Sequence, residues 1–158
     1  SKTFNIPGLG LSALIADEAE REAVARAFGQ LHVSASNPFS LAALEAAYRD
    51  GGPWLDALMA YLETTRDEVI DLLAHRLPLV HAYAPEGTYL MWLDCRPLGL
   101  DDAALRDFFI REAGLGLNPG TTFGTGGSGH MRLNLASPRA VIRDALERLE
   151  QAVARRPA

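Results

Sequence analysis

Two side chains in this sequence have the chemistry to act on a small molecule, and they stand far apart in it. Lys2 is the only lysine among 158 residues, and it is followed by a Gly- and Pro-rich stretch, Thr3 to Gly10. A lysine near a chain end is ordinarily solvated. If the stretch held it in a cleft, desolvation would favour the neutral amine, the form that attacks a carbonyl carbon. Arg132 lies in the apolar run Met131 to Leu135, where a charged side chain is excluded unless it is paired. There the forked guanidinium can grip a carboxylate in bidentate fashion. It can equally form an internal ion pair with an Asp or Glu, or face outward from a strand, and the residues alone leave the three open.

Other reactive residue types offer less. His32, His75, His81 and His130 are scattered without partners at metal-ligand spacing, so no metal site is expected. His130, two residues before Arg132, shares its face if the segment is a regular strand. Cys95 is the sole cysteine and sits in Tyr-Leu-Met-Trp-Leu-Asp-Cys, which reads as a packed thiol in a reducing compartment. The run Gly124-Thr125-Gly126-Gly127-Ser128-Gly129 matches G-x-G-x-x-G, the pattern of dinucleotide sites. That pattern works only where the loop opens a helix, and this one leads into an apolar run with strand character. Repeated glycine instead suggests a mobile connection.

The elements that must position these residues follow from periodicity and caps. Leu11 to Ala16 reads as a short buried strand. Asp17 can cap a helix through Leu31, and Asn37-Pro38 opens a second that ends at Gly51-Gly52. Pro53 opens the longest helix, to Arg76, with Trp54, Leu55, Leu58, Leu62, Val69, Leu72 and Leu73 along one stripe. Leu79 to Tyr83 and Thr88 to Asp94 form a predicted hairpin around Ala84-Pro85-Glu86-Gly87. Asp101 caps a helix to about Glu112, Gly114 to Leu117 and Met131 to Leu135 read as strands, and Ser137-Pro138 starts a final helix. The fold class is α/β, in an α+β arrangement: helices first, then a strand-helix-strand-helix module. A domain boundary is expected within the long helix.

The bulk properties exclude several functions. A net charge of -5 argues against the broad basic surface that nucleic acid requires. No apolar run approaches the roughly 20 residues of a membrane-spanning helix, and the N-terminus lacks a signal peptide pattern, so a cytoplasmic protein is expected.

Ser1-Lys2-Thr3-Phe4-Asn5-Ile6-Pro7-Gly8-Leu9 resembles the cofactor-lysine segment of MalY/PatB-type carbon-sulfur lyases. These belong to the class I and II aminotransferases, among the fold-type I pyridoxal-phosphate enzymes. Further stretches agree in order: Ser36-Asn37-Pro38-Phe39-Ser40, Gly52-Pro53-Trp54-Leu55-Asp56, Glu86-Gly87-Thr88-Tyr89-Leu90 with Trp92-Leu93-Asp94, and Leu117-Asn118-Pro119-Gly120 with Phe123-Gly124. Gly129-His130-Met131-Arg132-Leu133-Asn134 is similar to the aminotransferase strand that carries the substrate-carboxylate arginine. Each is weak by itself, and their ordered occurrence over nearly the whole chain is what makes the match specific.

The resemblance implies that Lys2 carries pyridoxal 5'-phosphate and, once freed, serves as general base, and that Arg132 holds the carboxylate of an amino-acid substrate. It places Tyr89 at an aromatic position of the substrate pocket, although the residue reads equally well as a core or hairpin aromatic. Ser36 and Asn37, adequate as helix caps, would reach the active site of a second subunit in a homodimer. Residues 1–52 would end the large cofactor-binding domain, 53–76 would link, and 77–158 would form the small carboxy-terminal domain. The implied reaction is β-elimination of cystathionine or a related cysteine S-conjugate to thiol, pyruvate and ammonia. Alternatives are an amino-acid aminotransferase, which shares the early steps, and a non-catalytic aminotransferase-like regulatory domain. Gly10 departs from the family habit of an arginine eight residues after the lysine. With other cofactor contacts expected before Lys2, the chain reads as a carboxy-terminal fragment inactive on its own.

Overall fold

The computed structural model describes residues 2–33 and 37–156. The chain divides into two compact units, Ser1–Met59 and Ala60–Ala158. Its elements are α1 (Glu18–Gln30), α2 (Pro38–Asp50), α3 (Gly52–Arg76), β1 (His81–Tyr83), β2 (Leu90–Asp94), α4 (Asp102–Asp107), β3 (Asn118–Pro119), β4 (His130–Asn134) and α5 (Arg139–Ala154). Mixed helices with one small antiparallel sheet agree with the expected class.

In the first unit, helix starts are chemically local. The Asp17 carboxylate accepts from Glu20 N–H at 3.0 Å, and the Asn37 side chain accepts from Ser40 N–H at 2.9 Å. Each satisfies a donor that the first helical turn leaves free. Three contacts hold the segment that follows Lys2. The Phe4 ring meets Tyr48 edge-on at 5.2 Å and lies 6.3 Å from Trp54. Gly51 permits this, because a Cβ there would strike both the Ala47 carbonyl and the Phe4 ring. Five residues on, the buried Ser40 hydroxyl donates to the Leu9 carbonyl at 2.5 Å. The expected strand at Leu11 to Ala16 is absent: these residues have no regular structure, and Ile15 is 96% exposed. Among the described residues no strand runs beside them, and an unpaired strand leaves its backbone groups without partners.

The second unit holds the apolar core. Its sheet has the order β1-β2-β4-β3, antiparallel throughout. The hairpin appears with Tyr83 opposite Trp92. Because side chains alternate across a strand, Met91, Leu93, Met131 and Leu133 share one buried face. They belong to one cluster with Val69 and Leu73 of α3, Leu105 of α4, and Ile142, Leu146 and Leu149 of α5. At roughly 1.5–3 kcal/mol per fully buried large side chain, this cluster is the main stabilising feature of the unit.

Three local expectations give way to packing. The helix capped by Asp101 runs as α-helix only to Asp107 and then widens to a π-turn, Phe108–Glu112, closed by Ala113 N–H on the Phe108 carbonyl at 3.1 Å. Phe108, Phe109 and Ala113 are all buried there. Gly114 to Leu117 is not a strand: Gly114 takes a φ of +67° as a helix terminator, and Leu115 N–H returns to the Phe109 carbonyl. Strand β3 comes later, at Asn118–Pro119. Ser137 does not cap α5. Pro138 occupies that position, and the Arg139 N–H is satisfied from α3 by the Tyr61 hydroxyl at 2.7 Å. The Arg139 guanidinium in turn lies 4.2 Å over the Tyr61 ring and donates to Thr65.

Leu149→Ala should therefore lower unfolding free energy by about 2–5 kcal/mol. Tyr61→Phe, which removes one helix-start partner and keeps the ring, should cost only about 1 kcal/mol. Urea denaturation of the two variants checks the ranking, and a larger loss in Tyr61→Phe would contradict it.

Candidate functional site

The sheet face opposite the core carries polar and aromatic side chains in register. Trp92 pairs with Arg132, Asp94 with His130, Leu90 with Asn134 and, on the outer strand, Asn118 with Arg132. Asp94 is the carboxylate closest in register to Arg132 on this face, and it is 6% exposed. Burial alone would raise its pKa and call for a cation. Arg96 supplies one: its Nε donates to Oδ1 at 2.9 Å, its Nη2 to Oδ2 at 2.6 Å, and its backbone N–H to Oδ1 at 3.0 Å. These hydrogen bonds outweigh desolvation and hold the Asp94 carboxyl well down, at about 2.

With Asp94 saturated, Arg132 has no carboxylate partner among the described residues. Its Nη2 donates to the Asn118 side-chain oxygen at 3.1 Å, and its guanidinium carbon lies 4.3 Å from the centre of the Phe123 ring. Its Nε is buried without a hydrogen-bond partner. Of the three readings open in the sequence, the internal ion pair is not what the structure contains. The guanidinium is half-buried, held by an amide oxygen and an aromatic ring, with donor capacity left over.

His130 does share the face of Arg132. It is buried, stacks on Trp92 at 5.6 Å, and places Nδ1 2.7 Å from the Ser128 carbonyl. The glycine loop leading to it is not the loose connection expected. Asp102, at the start of α4, accepts from the Ser128 hydroxyl at 2.9 Å and from Gly129 N–H at 2.8 Å. Gly120 and Gly127 lie backbone against backbone, so that a Cβ on either would collide with the other's carbonyl. Here glycine serves close approach rather than motion.

The remaining candidates separate. Tyr89 packs against the hydrophobic cluster. Its carbonyl accepts from Leu135 N–H at 2.8 Å, which extends the β2–β4 ladder by one pair and sends its side chain to the core face, away from Arg132. Within this unit it is thus the partly buried core aromatic that the sequence also allowed. Lys2 belongs to the first unit and is exposed there, in a turn closed by Asn5 N–H on its own carbonyl at 3.4 Å. Asn37 caps α2, and Ser36 lies outside the described residues. Cys95 is packed as expected, and burial pushes its thiol up to about 12. No group of three potential metal-ligating side chains stands together among the described residues. Sequence reasoning assigned no role to Trp92, Asn118, Phe123 or the Asp94–Arg96 pair. The alternation Trp92, Asp94 opposite Arg132, His130 would have revealed the first of these, had the pairing of the two strands been known.

The second unit thus presents a half-buried arginine on an antiparallel sheet, with an amide oxygen and an aromatic ring as its partners. The aminotransferase class I and II family matches residues 1–149, and the chain belongs to that family. It is 40% identical over 154 residues to the cystathionine beta-lyase PatB of Bacillus subtilis, covering 97% of this chain and 40% of that protein. It is 37% identical over 155 residues to the protein MalY of Escherichia coli, again covering 97% of this chain and 40% of the relative. The chain thus spans about two fifths of the length of these curated relatives. Cystalysin from Treponema denticola, whose structure contains a pyridoxal 5'-phosphate cofactor, superposes with a TM-score of 0.86 at 35% identity. That match covers 96% of this chain and 39% of that one.

The Asp94–Arg96 pair gives a pH test. A depressed carboxyl pKa contributes stability above the ordinary aspartate value, and that contribution is lost as pH falls through the folded value. Asp94→Asn should be less stable than wild type at neutral pH, and the gap should narrow between about pH 4 and pH 2 in denaturation midpoints. A gap independent of pH over that window would refute the pairing. Cys95 should react with a thiol reagent only at the rate of unfolding.

Proposed function

We propose that this chain is part of a pyridoxal-phosphate enzyme that cleaves the bond between the β carbon and sulfur of cystathionine or a related cysteine S-conjugate, releasing thiol, pyruvate and ammonia. The observation that carries the reading is Arg132, a half-buried guanidinium whose neighbouring carboxylate is already saturated by Arg96. The choice of a lyase rests on the 40% identity to a cystathionine beta-lyase.

Lys2 fits the cofactor in one respect that the chain itself supplies: it is an exposed primary amine on a segment anchored at Phe4 and Leu9. In this reading Lys2 would hold the cofactor and, as a free amine, would take the proton from the substrate carbon that bears the amino group. Bound pyridoxal phosphate supplies an electron sink for that carbon. Arg132 fixes the substrate carboxylate, which orients the bond to be broken. With Gly10 where an arginine is common, groups other than that arginine would hold the phosphate.

Residues 1–52 then end the large domain, 53–76 link, and 77–158 form the small domain. The protein acts as a homodimer in the cytoplasm, and Ser36 and Asn37 reach the partner subunit's site. A packed single thiol, and the lack of a described helix long and apolar enough to cross a membrane, are compatible with that location.

The test uses the complete protein that contains this chain. Wild type mixed with pyridoxal phosphate should develop the absorbance of a covalently held cofactor, and Lys2→Ala should lose it; an unchanged band in Lys2→Ala removes Lys2 from its role. With cystathionine, pyruvate should accumulate. Amino transfer to a keto acid in its place would overturn the lyase reading in favour of an aminotransferase.

A further inference from the structure

We infer that Phe123 is a positioning residue for carboxylate recognition: its ring, braced by Trp92 and His130, sets the plane of the Arg132 guanidinium and leaves the terminal nitrogens to receive the anion. The inference rests on the assignment of Arg132 as the carboxylate-binding group and adds residues to that site.

Phe123 ends the 3-10 turn Gly120–Phe123 that follows β3. The backbone contact of Gly120 with Gly127 folds this turn back on the glycine loop, and Asp102 fixes the loop's far end. The Phe123 ring is consequently held over the site face rather than in the core, 50% exposed. It meets Trp92 edge-on at 5.7 Å, Trp92 stacks on His130 at 5.6 Å, and His130 is tied to the Ser128 carbonyl at 2.7 Å. The contacts close a ring: the loop that presents Phe123 also anchors the histidine at the other end of the brace.

An aromatic face attracts a cation directed at its centre. The guanidinium carbon lies over the ring, 4.3 Å from its centre. Nε is buried, and Nη2 spends one of its two protons on Asn118. In this inference Asn118 takes the Nη2 proton on the Nε side, which leaves the edge formed by Nη1 and the second Nη2 proton to a bidentate carboxylate. Without the ring, the flexible side chain would have to be ordered on binding, and affinity would fall.

The test compares L-alanine, which has no β leaving group, with ethylamine, which is alanine lacking the carboxylate. Binding of each is measured by calorimetry to the complete, cofactor-loaded protein. Phe123→Leu keeps apolar bulk and removes the aromatic face. It should reduce the preference for alanine over ethylamine by about three- to thirtyfold, the range of a cation–aromatic contact, and leave ethylamine binding unchanged. Phe123→Tyr should retain the preference. Equal losses for both ligands would mean a general packing defect and overturn the inference. So would an intact preference in Phe123→Leu when Arg132→Gln abolishes it. If Arg132→Gln itself leaves the preference intact, the carboxylate assignment falls and the role of Phe123 falls with it.

Discussion

The pairing of Asp94 with Arg96 is the interaction on which the site face depends. Asp94 lies diagonally across the β2–β4 ladder from Arg132, within reach of a long side chain. A buried carboxylate without a partner costs several kcal/mol, so it takes whichever cation is available. Arg96 engages it with three donors from a turn directly after β2. That turn seats the arginine stem against Gly129, where a Cβ would collide with the Arg96 side chain. The glycine, the salt bridge and the uncommitted guanidinium of Arg132 are thus successive links of one arrangement. A side chain at position 129 would collide with the Arg96 stem and disturb its grip on Asp94.

What the sequence made legible was whatever is decided within a few residues. Asp17, Asn37 and Asp101 cap helices because a short acceptor three residues ahead of a free N–H is a local geometry. The hairpin of β1 and β2 and the apolar stripe through Leu62, Val69 and Leu73 follow from periodicity. The errors fall where a partner decides. Leu11 to Ala16 and Gly114 to Leu117 have strand composition, but a strand exists only where another lies beside it. The start of α5 depends on the Tyr61 hydroxyl, which is 78 residues away in sequence.

The candidate site was legible unevenly for the same reason. Arg132 stands out because a charge in an apolar run demands an explanation, and His130 follows from strand alternation. Phe123 and Asn118 could not be placed beside Arg132 without the β3–β4 pairing, and Tyr89 could not be sent to the core without the register of β2 on β4. The glycine run was misjudged because conformational freedom and close approach call for the same residue. Only the contact between the Gly120 and Gly127 backbones tells them apart.

The two units differ in how much of their functional geometry they determine internally. All large apolar side chains that are fully buried lie from Leu62 onward, whereas Ser40 is the only buried residue described in the first unit. Arg132 is consequently oriented by a packed sheet, an amide and a ring of its own unit. The segment of Lys2 is held by the Phe4 contacts and one serine hydroxyl. This asymmetry bears on what the geometry argues for. A carboxylate grip serves any reaction that begins at the α carbon of an amino acid, elimination and amino transfer alike. The site face therefore supports an amino-acid substrate more strongly than either reaction, since shared architecture alone does not select a chemistry. The proposed preference for elimination comes from the 40% identity to a cystathionine beta-lyase and not from the Arg132 face.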